Sequence, residues 1–260
     1  MGFGIDNKDF PDSGCAIVFG GSGGLGQACA GLMAERGCDI VVTYRSRAEE
    51  ANALVEKIRG LGRKAEAVAC DVTNREQVEA AFAHAVKRFG RVHTVVSAGG
   101  LVFDTGPLVD FKQSAFRGVI ETDVIGFFNI AQAGIPVLRE GKGGSFVALI
   151  TCATKRTVPL DALSATPKAA VQMLVRHIAT EEARNGIRAN CVGPGVIDGG
   201  MVIPMMQTET KKLLDMAVEY TPLGRLGECA EIAEAVAFLA SSKAAYVTGQ
   251  SLMVDGGLSA

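Results

Sequence analysis

Short apolar runs alternate with longer amphipathic stretches from residue 15 to the end of the chain. CAIVF (15–19), DIVVTY (39–44), AEAVAC (65–70), VHTVVS (92–97), SFVALI (145–150), IRANCVG (187–193) and SLMVD (251–255) each have the length of one buried strand. Between them the period changes. Residues 24–36 read as a helix, and REQVEAAFAHAVKRFG (75–90) places Val78, Phe82 and Val86 on one face. Strands alternating with helices predict a parallel sheet covered on both sides. No repeat or linker interrupts the rhythm, so residues 15–260 are expected to form one domain behind a polar arm, 1–14, that holds Pro11 and Gly14. A Gly- and Met-rich stretch at about 198–216, with Met201, Met205 and Met206, breaks the pattern and is expected to form a substrate loop.

Composition narrows the function classes. Hydrophobic residues make up 48% of the 260, ample for one large core, and the net charge of -2 gives no reason to expect nucleic acid or an anionic membrane as partner. Asp6, Lys8, Asp9 and Asp12 interrupt any N-terminal signal pattern, and no apolar run has the ~18 residues of a membrane span. A cytoplasmic protein is expected. The seven cysteines lack a C-x-x-C pair and read as thiols, and the three histidines, His84, His93 and His177, lack metal-ligand spacing. No metal site is expected.

The first strand runs into FGGSGGLGQA, with Gly20, Gly24 and Gly26 spaced G-x-x-x-G-x-G. Glycines between a strand and a helix let backbone N–H groups approach a pyrophosphate, and the helix N-terminus adds partial positive charge. The end of the second strand selects the dinucleotide. NAD binders place a carboxylate there for the ribose 2′-hydroxyl. This chain instead has Tyr44, Arg45, Ser46 and Arg47, two guanidiniums and a hydroxyl suited to a 2′-phosphate. NADP is the expected cofactor.

These motifs together resemble the short-chain dehydrogenase/reductase family over almost the whole chain. The CDVT that follows strand three, SAGG at 97–100, NCVGPGVI at 190–197 and YVTGQSLMVDGG near the end carry the resemblance further. It implies a single Rossmann-type doubly wound domain with a seven-stranded parallel sheet, and a homotetramer. It also implies cofactor contacts from Ser22, Gly23 and Leu25 in the glycine turn, and from Asp71 and Val72 beside the adenine. Ser97, Ala98, Gly99 and Lys168 would lie against the nicotinamide half, under Pro194, Gly195 and Ile197.

The family's usual active site holds Asn, Ser, Tyr and Lys. Only Lys168 matches. Ser164 stands four residues before it in place of the tyrosine, Thr151 replaces the serine, and Asp123 replaces the asparagine. The chain's only tyrosines are Tyr44, Tyr220 and Tyr246. Pro167 fits a helix start, capped by Thr166, or lies within a helix that starts earlier.

A serine hydroxyl is far less acidic than a phenol, so the change argues against ordinary ketone–alcohol chemistry. Reducing a carbon–carbon double bond conjugated to a carbonyl asks for something else, stabilisation of an enolate oxygen. The pattern is similar to peroxisomal-type 2,4-dienoyl-CoA reductases, where an aspartate and a lysine act with a water. That resemblance implies catalytic roles for Asp123, Thr151, Ser164 and Lys168, and a CoA or carrier-protein thioester as substrate. Two alternatives stand beside it: a carbonyl/alcohol oxidoreductase with a rebuilt proton relay, and a non-catalytic NADP-binding protein. Asp123 also has a plain structural reading, as a partner for a lysine.

Overall fold

All seven apolar runs become strands of one parallel sheet in the computed structural model, which describes residues 8–100, 104–199 and 211–260. The strands are β1 (Cys15–Phe19), β2 (Ile40–Tyr44), β3 (Ala65–Ala69), β4 (Val92–Ser97), β5 (Gly144–Leu149), β6 (Ile187–Pro194) and, last in the chain, β9 (Ser251–Val254). Their order is β3-β2-β1-β4-β5-β6-β9. The chain reverses direction across the sheet between β1 and β4, and a crevice opens there at the carboxyl ends of the strands.

Helices cover both faces. α1 (Gly24–Glu35), α2 (Ala48–Gly60) and the late helix α8 (Cys229–Ala240) pack on one side, α3 (Arg75–Phe89), α5 (Gly126–Glu140) and α6 (Ala162–Glu181) on the other. β1 is buried along its whole length because it has a core on each face. Alternate residues divide between the two: Ala16 and Val18 face one core, Cys15, Ile17 and Phe19 the other. The shorter α4 (Gln113–Val119) leads into α5 through a π-helical turn, Ile120–Ile125, so residues 113–140 form one continuous helical element. A two-stranded pair, β7 (Ile197–Asp198) with β8 (Gly227–Glu228), lies apart from the main sheet. α7 spans Lys211–Tyr220.

Part of the polar arm is held against the domain. Residues 9 and 10 of the arm are docked: Phe10 is buried and stacks on His93, and Asp9 pairs with Arg36 and Lys243. An apolar ring and a carboxylate with two cationic partners hold this part of the arm down. The expected substrate loop at 198–216 has its centre, residues 200–210, outside the described residues, and its last part belongs to α7.

The cysteines are unbridged, and burial raises all seven: Cys70 and Cys152 to about 11, Cys29, Cys38 and Cys191 to about 12, Cys15 further still, and half-buried Cys229 upward as well. They are neutral packed thiols at physiological pH. His84 bonds Glu66, His177 bonds Glu181, and burial holds His93 down at about 4.

Candidate active site

The glycine turn is built by close approach of backbones. Gly20 has φ +75, and a Cβ there would lie 2.5 Å from Gly99 Cα. A Cβ on Gly26 would lie 2.3 Å from the Gly20 carbonyl oxygen, so the start of α1 presses directly on the turn. Gly23, by contrast, faces open space, with Gly20 O at 3.4 Å as its nearest neighbour. It is the N-cap of α1 and has no side chain to satisfy the helix's first N–H groups. Those of Gly24, Leu25 and Gly26 therefore point out of the helix end beside buried Ser22. The cradle fits a pyrophosphate.

The two arginines after β2 differ. Arg47 bonds Glu50 at 2.8 Å, whereas the exposed Arg45 guanidinium has no partner among the described residues. Arg45 is thus the cation available to a 2′-phosphate, next to Ser46 and half-buried Tyr44. Asp71 uses one carboxylate oxygen to accept from Thr73 N (3.0 Å) and Thr73 Oγ1 (2.8 Å), which shapes the loop it starts. The same loop is tied to α5: Asn129 Nδ2 donates to Val72 O at 2.9 Å, and Gly126 packs against Val72. Asn129 was not anticipated from the sequence, because only the fold brings it there.

Beyond the glycine turn, Lys168 joins the end of β4 to the central helix. Its Nζ donates to Gly99 O at 3.3 Å and lies 3.2 Å from Asp123 Oδ2. Asp123 sits in the π-helical turn, where an extra residue in the helical repeat redirects a side chain. The side chains of Asp123 and Lys168 are 4% and 15% exposed, so the pair is screened little by water. Asp123 Oδ1 is buried and has no partner among the described residues. Asp123 lines a cavity of about 30 Å³ together with Ser97, Gly99, Phe127, Leu149 and Lys168. That volume accommodates a single water.

Thr151 and Ser164 do not line this cavity. Thr151 Oγ1 accepts from Ala153 N at 3.2 Å. Ser164 is on the first turn of α6, where its N–H donates to the Asp161 backbone carbonyl at 3.1 Å. α6 begins at Ala162, so Pro167 lies inside it and exposed Thr166 does not cap it. No phenol takes the missing position: Tyr246 is fully exposed, Tyr220 largely so, and Tyr44 ends β2. On the far side, Gly195 N donates to Val254 O and Ile197 is buried, which secures the segment from Pro194 onward to the last strand.

Residues 20–259 match the family model described as Enoyl-(Acyl carrier protein) reductase. The chain is 34% identical over 243 residues to the 3-oxoacyl-[acyl-carrier-protein] reductase FabG of Staphylococcus epidermidis, a match covering 94% of this chain and 98% of that protein. It is 35% identical over 245 residues to a chloroplastic tropinone reductase homolog of Arabidopsis thaliana, covering 94% and 75%. The solved gluconate 5-dehydrogenase from Burkholderia cenocepacia in complex with NADP and tartrate superposes with a TM-score of 0.89 at 30% identity, covering 97% of each chain.

Proposed function

The chain belongs to the short-chain dehydrogenase/reductase family and is an NAD(P)-dependent oxidoreductase, and on that premise we propose that it uses NADPH to reduce a carbon–carbon double bond conjugated to a carbonyl, as in an enoyl or dienoyl thioester or an enone. The observation that carries this reading is the buried Asp123–Lys168 pair, with an unpartnered carboxylate oxygen and a cavity the size of one water lined by both residues, in a chain that has no phenol at the family's position.

NADPH, when bound, supplies the hydride. The chain's own residues must then manage the charge that collects on the substrate's carbonyl oxygen. Asp123 Oδ1 accepts a hydrogen bond from a water in the cavity, which turns the water's second O–H outward. Lys168, held by Gly99 O and Asp123 Oδ2, places its ammonium beside the same spot. A preorganised cation and an oriented O–H stabilise an enolate oxygen without full proton transfer to it. Leu108, Val109 and Leu160 are exposed apolar side chains on segments joined by the Gly106 N–H to Leu160 O bond, which supports an apolar or acyl substrate.

A carbonyl reductase is the second reading. The named activities of the relatives favour it, above all the 3-oxoacyl-[acyl-carrier-protein] reductase. Both readings are compatible with a carrier-protein thioester. Assembly as a homotetramer belongs to the proposal, supported by exposed apolar residues such as Phe128 on α5 and Met173 on α6. No helix among the described residues is long and apolar enough to cross a membrane. The seven unbridged cysteines support a reducing compartment, the cytoplasm.

Cofactor choice rests on Arg45. NADPH should bind at least about tenfold more tightly than NADH, roughly 1.4 kcal/mol. Arg45→Ala should shrink that ratio towards one, while Arg47→Ala, whose guanidinium is already engaged by Glu50, should change it less. Fluorescence titration of both cofactors decides it; equal affinity of the parent protein for the two would overturn the assignment.

A further inference from the structure

We propose that Asn129 is a positioning residue for the reduction. It fixes the loop after β3 against the helical element that carries Asp123, so that the adenosine end of the cofactor and the Asp123 cavity share one wall. The inference deepens the function proposed above and rests on it for the part Asp123 plays in turnover.

The wall is Val72. β2 and β3 pair in parallel as far as Tyr44 and Ala69, and Cys70 N then donates to Tyr44 O at 2.8 Å. The loop Asp71–Thr73 therefore starts beside Tyr44 and Arg45, the end of β2 to which the 2′-phosphate is assigned above. Val72 of this loop also lines the cavity of about 30 Å³ that Asp123 and Lys168 line. One residue thus belongs to both places.

The loop's other described bonds do not fix Val72 against α5. Thr73 N and Thr73 Oγ1 donate to Asp71, Asn74 N donates to Asp71 O, and Asp71 N donates to Gln77 Oε1 at 2.8 Å. These bonds close the turn on itself and on the start of α3. The link to α5 comes from Asn129, whose Nδ2 donates to Val72 O at 2.9 Å and lies 3.4 Å from Thr73 O. Asn129 is 8% exposed, and its neighbours Phe127, Ile130 and Ala131 are core residues. An apolar side chain would serve that core as well. A buried amide is retained at a cost unless it is bonded, and among the described residues the bonds of its side chain are those to the loop.

The same helix touches Val72 a second time. A Cβ on Gly126 would lie 2.6 Å from Val72 Cγ2 and 3.2 Å from Val72 Cβ, so the helix approaches the loop as closely as a glycine permits. Asp123, Gly126 and Asn129 follow one another at intervals of three, across the junction of the π-helical turn with α5. One helical element thus presents a carboxylate to the cavity, a close contact to its wall, and a hydrogen bond that holds the wall in place. Without the amide, Val72 O has to find another donor. The loop then shifts, the cavity widens, and a water bonded to Asp123 is no longer confined to one position. Asn129 touches no reacting atom; it acts through Val72 and Asp123.

Asn129→Leu in the full-length protein keeps roughly the side chain's size and removes the donor. Adenosine 2′,5′-bisphosphate carries the adenosine end of the cofactor without the nicotinamide, and its affinity by calorimetry should fall about fivefold, with or without Asp123→Asn. At saturating NADPH, kcat on a 2-enoyl or 3-oxoacyl thioester, whichever is turned over, should fall about tenfold or more in the otherwise unchanged protein. In the Asp123→Asn background the same substitution should cost less than about twofold, because the residue through which Asn129 acts is already gone. Gly126→Ala reaches the wall by another route and judges the inference even where Asn129→Leu does not fold. Its methyl presses on Val72 with Asn129 intact, so kcat should fall in the same background-dependent way, and adding Val72→Ala should restore part of it. Equal losses of kcat in both backgrounds, with Asp123→Asn itself slow, would overturn this inference alone and make Asn129 a packing residue. An unchanged affinity for the bisphosphate, or parent-like kcat in Gly126→Ala, would overturn it too. Near-normal turnover by Asp123→Asn would instead defeat the function proposed above, and this inference with it.

Discussion

Asp123→Asn should lower turnover by about 100-fold while leaving the fold and NADPH affinity close to those of the parent. The substitution keeps size and shape inside a helical element that continues on both sides, so little has to repack. An asparagine oxygen can still accept from Lys168. What changes is the other oxygen, Oδ1, which is buried and unpartnered beside the cavity. As a carboxylate it can only accept, so a neighbouring water donates one O–H to it and is held by that bond. An amide N–H₂ there donates instead and takes the water's lone pair, so the water is held in a different orientation. The charge that anchors the water is gone, and Lys168 also loses its counter-charge. Steady-state rates with NADPH and an alkene substrate, beside a cofactor titration, measure both halves. Near-normal turnover would make Asp123 a purely structural partner for the lysine.

Lys168→Met should cost stability as well as activity. The methionine keeps the bulk of the stem but removes the ammonium, and the Asp123 side chain, 4% exposed, loses its ionic partner among the described residues. Breaking a buried ion pair from one side costs about 3–5 kcal/mol, because the remaining charge stays buried. In a chain of this size that is a fall in melting temperature of roughly 6–20 °C. Adding Asp123→Asn removes the stranded charge, so the double variant should regain much of the loss without regaining activity. The melting temperatures of the three variants at pH 7 test this. A single variant as stable as the parent would mean that the pair contributes nothing to the fold.

The sheet could be read from the sequence because a parallel strand buried on both faces is a continuous apolar run. Ile40–Val42 and Val95–Val96 leave little else to choose. The glycine turn was readable for a related reason: Gly20 and Gly26 are required by contacts of 2.5 and 2.3 Å that no other residue permits. The link between Asp123 and Lys168 was foreseeable as an ion pair, since both fall on family positions. Its depth and the π-helical turn that sets it were not, because one extra residue in a helix leaves the apolar pattern intact. The start of α6 was hidden by Pro167, which fits a helix's first turn as well as the interior position it occupies. The docking of Phe10 on His93 depends on residues far apart in the chain and leaves no local trace. The pair of β7 and β8 has two residues in each strand, too few to show a period.

The central claim is that this site reduces a conjugated alkene and not the ketone its named relatives act on. The most direct test is NADPH oxidation by the full-length protein on two thioesters of equal chain length, one 2-enoyl and one 3-oxoacyl, with the products identified by mass. The account predicts saturated acyl thioester from the first at a higher kcat/KM than any hydroxyacyl product from the second. Conversion of the 3-oxoacyl thioester with no reduction of the enoyl one would contradict it and establish the carbonyl reading in its place.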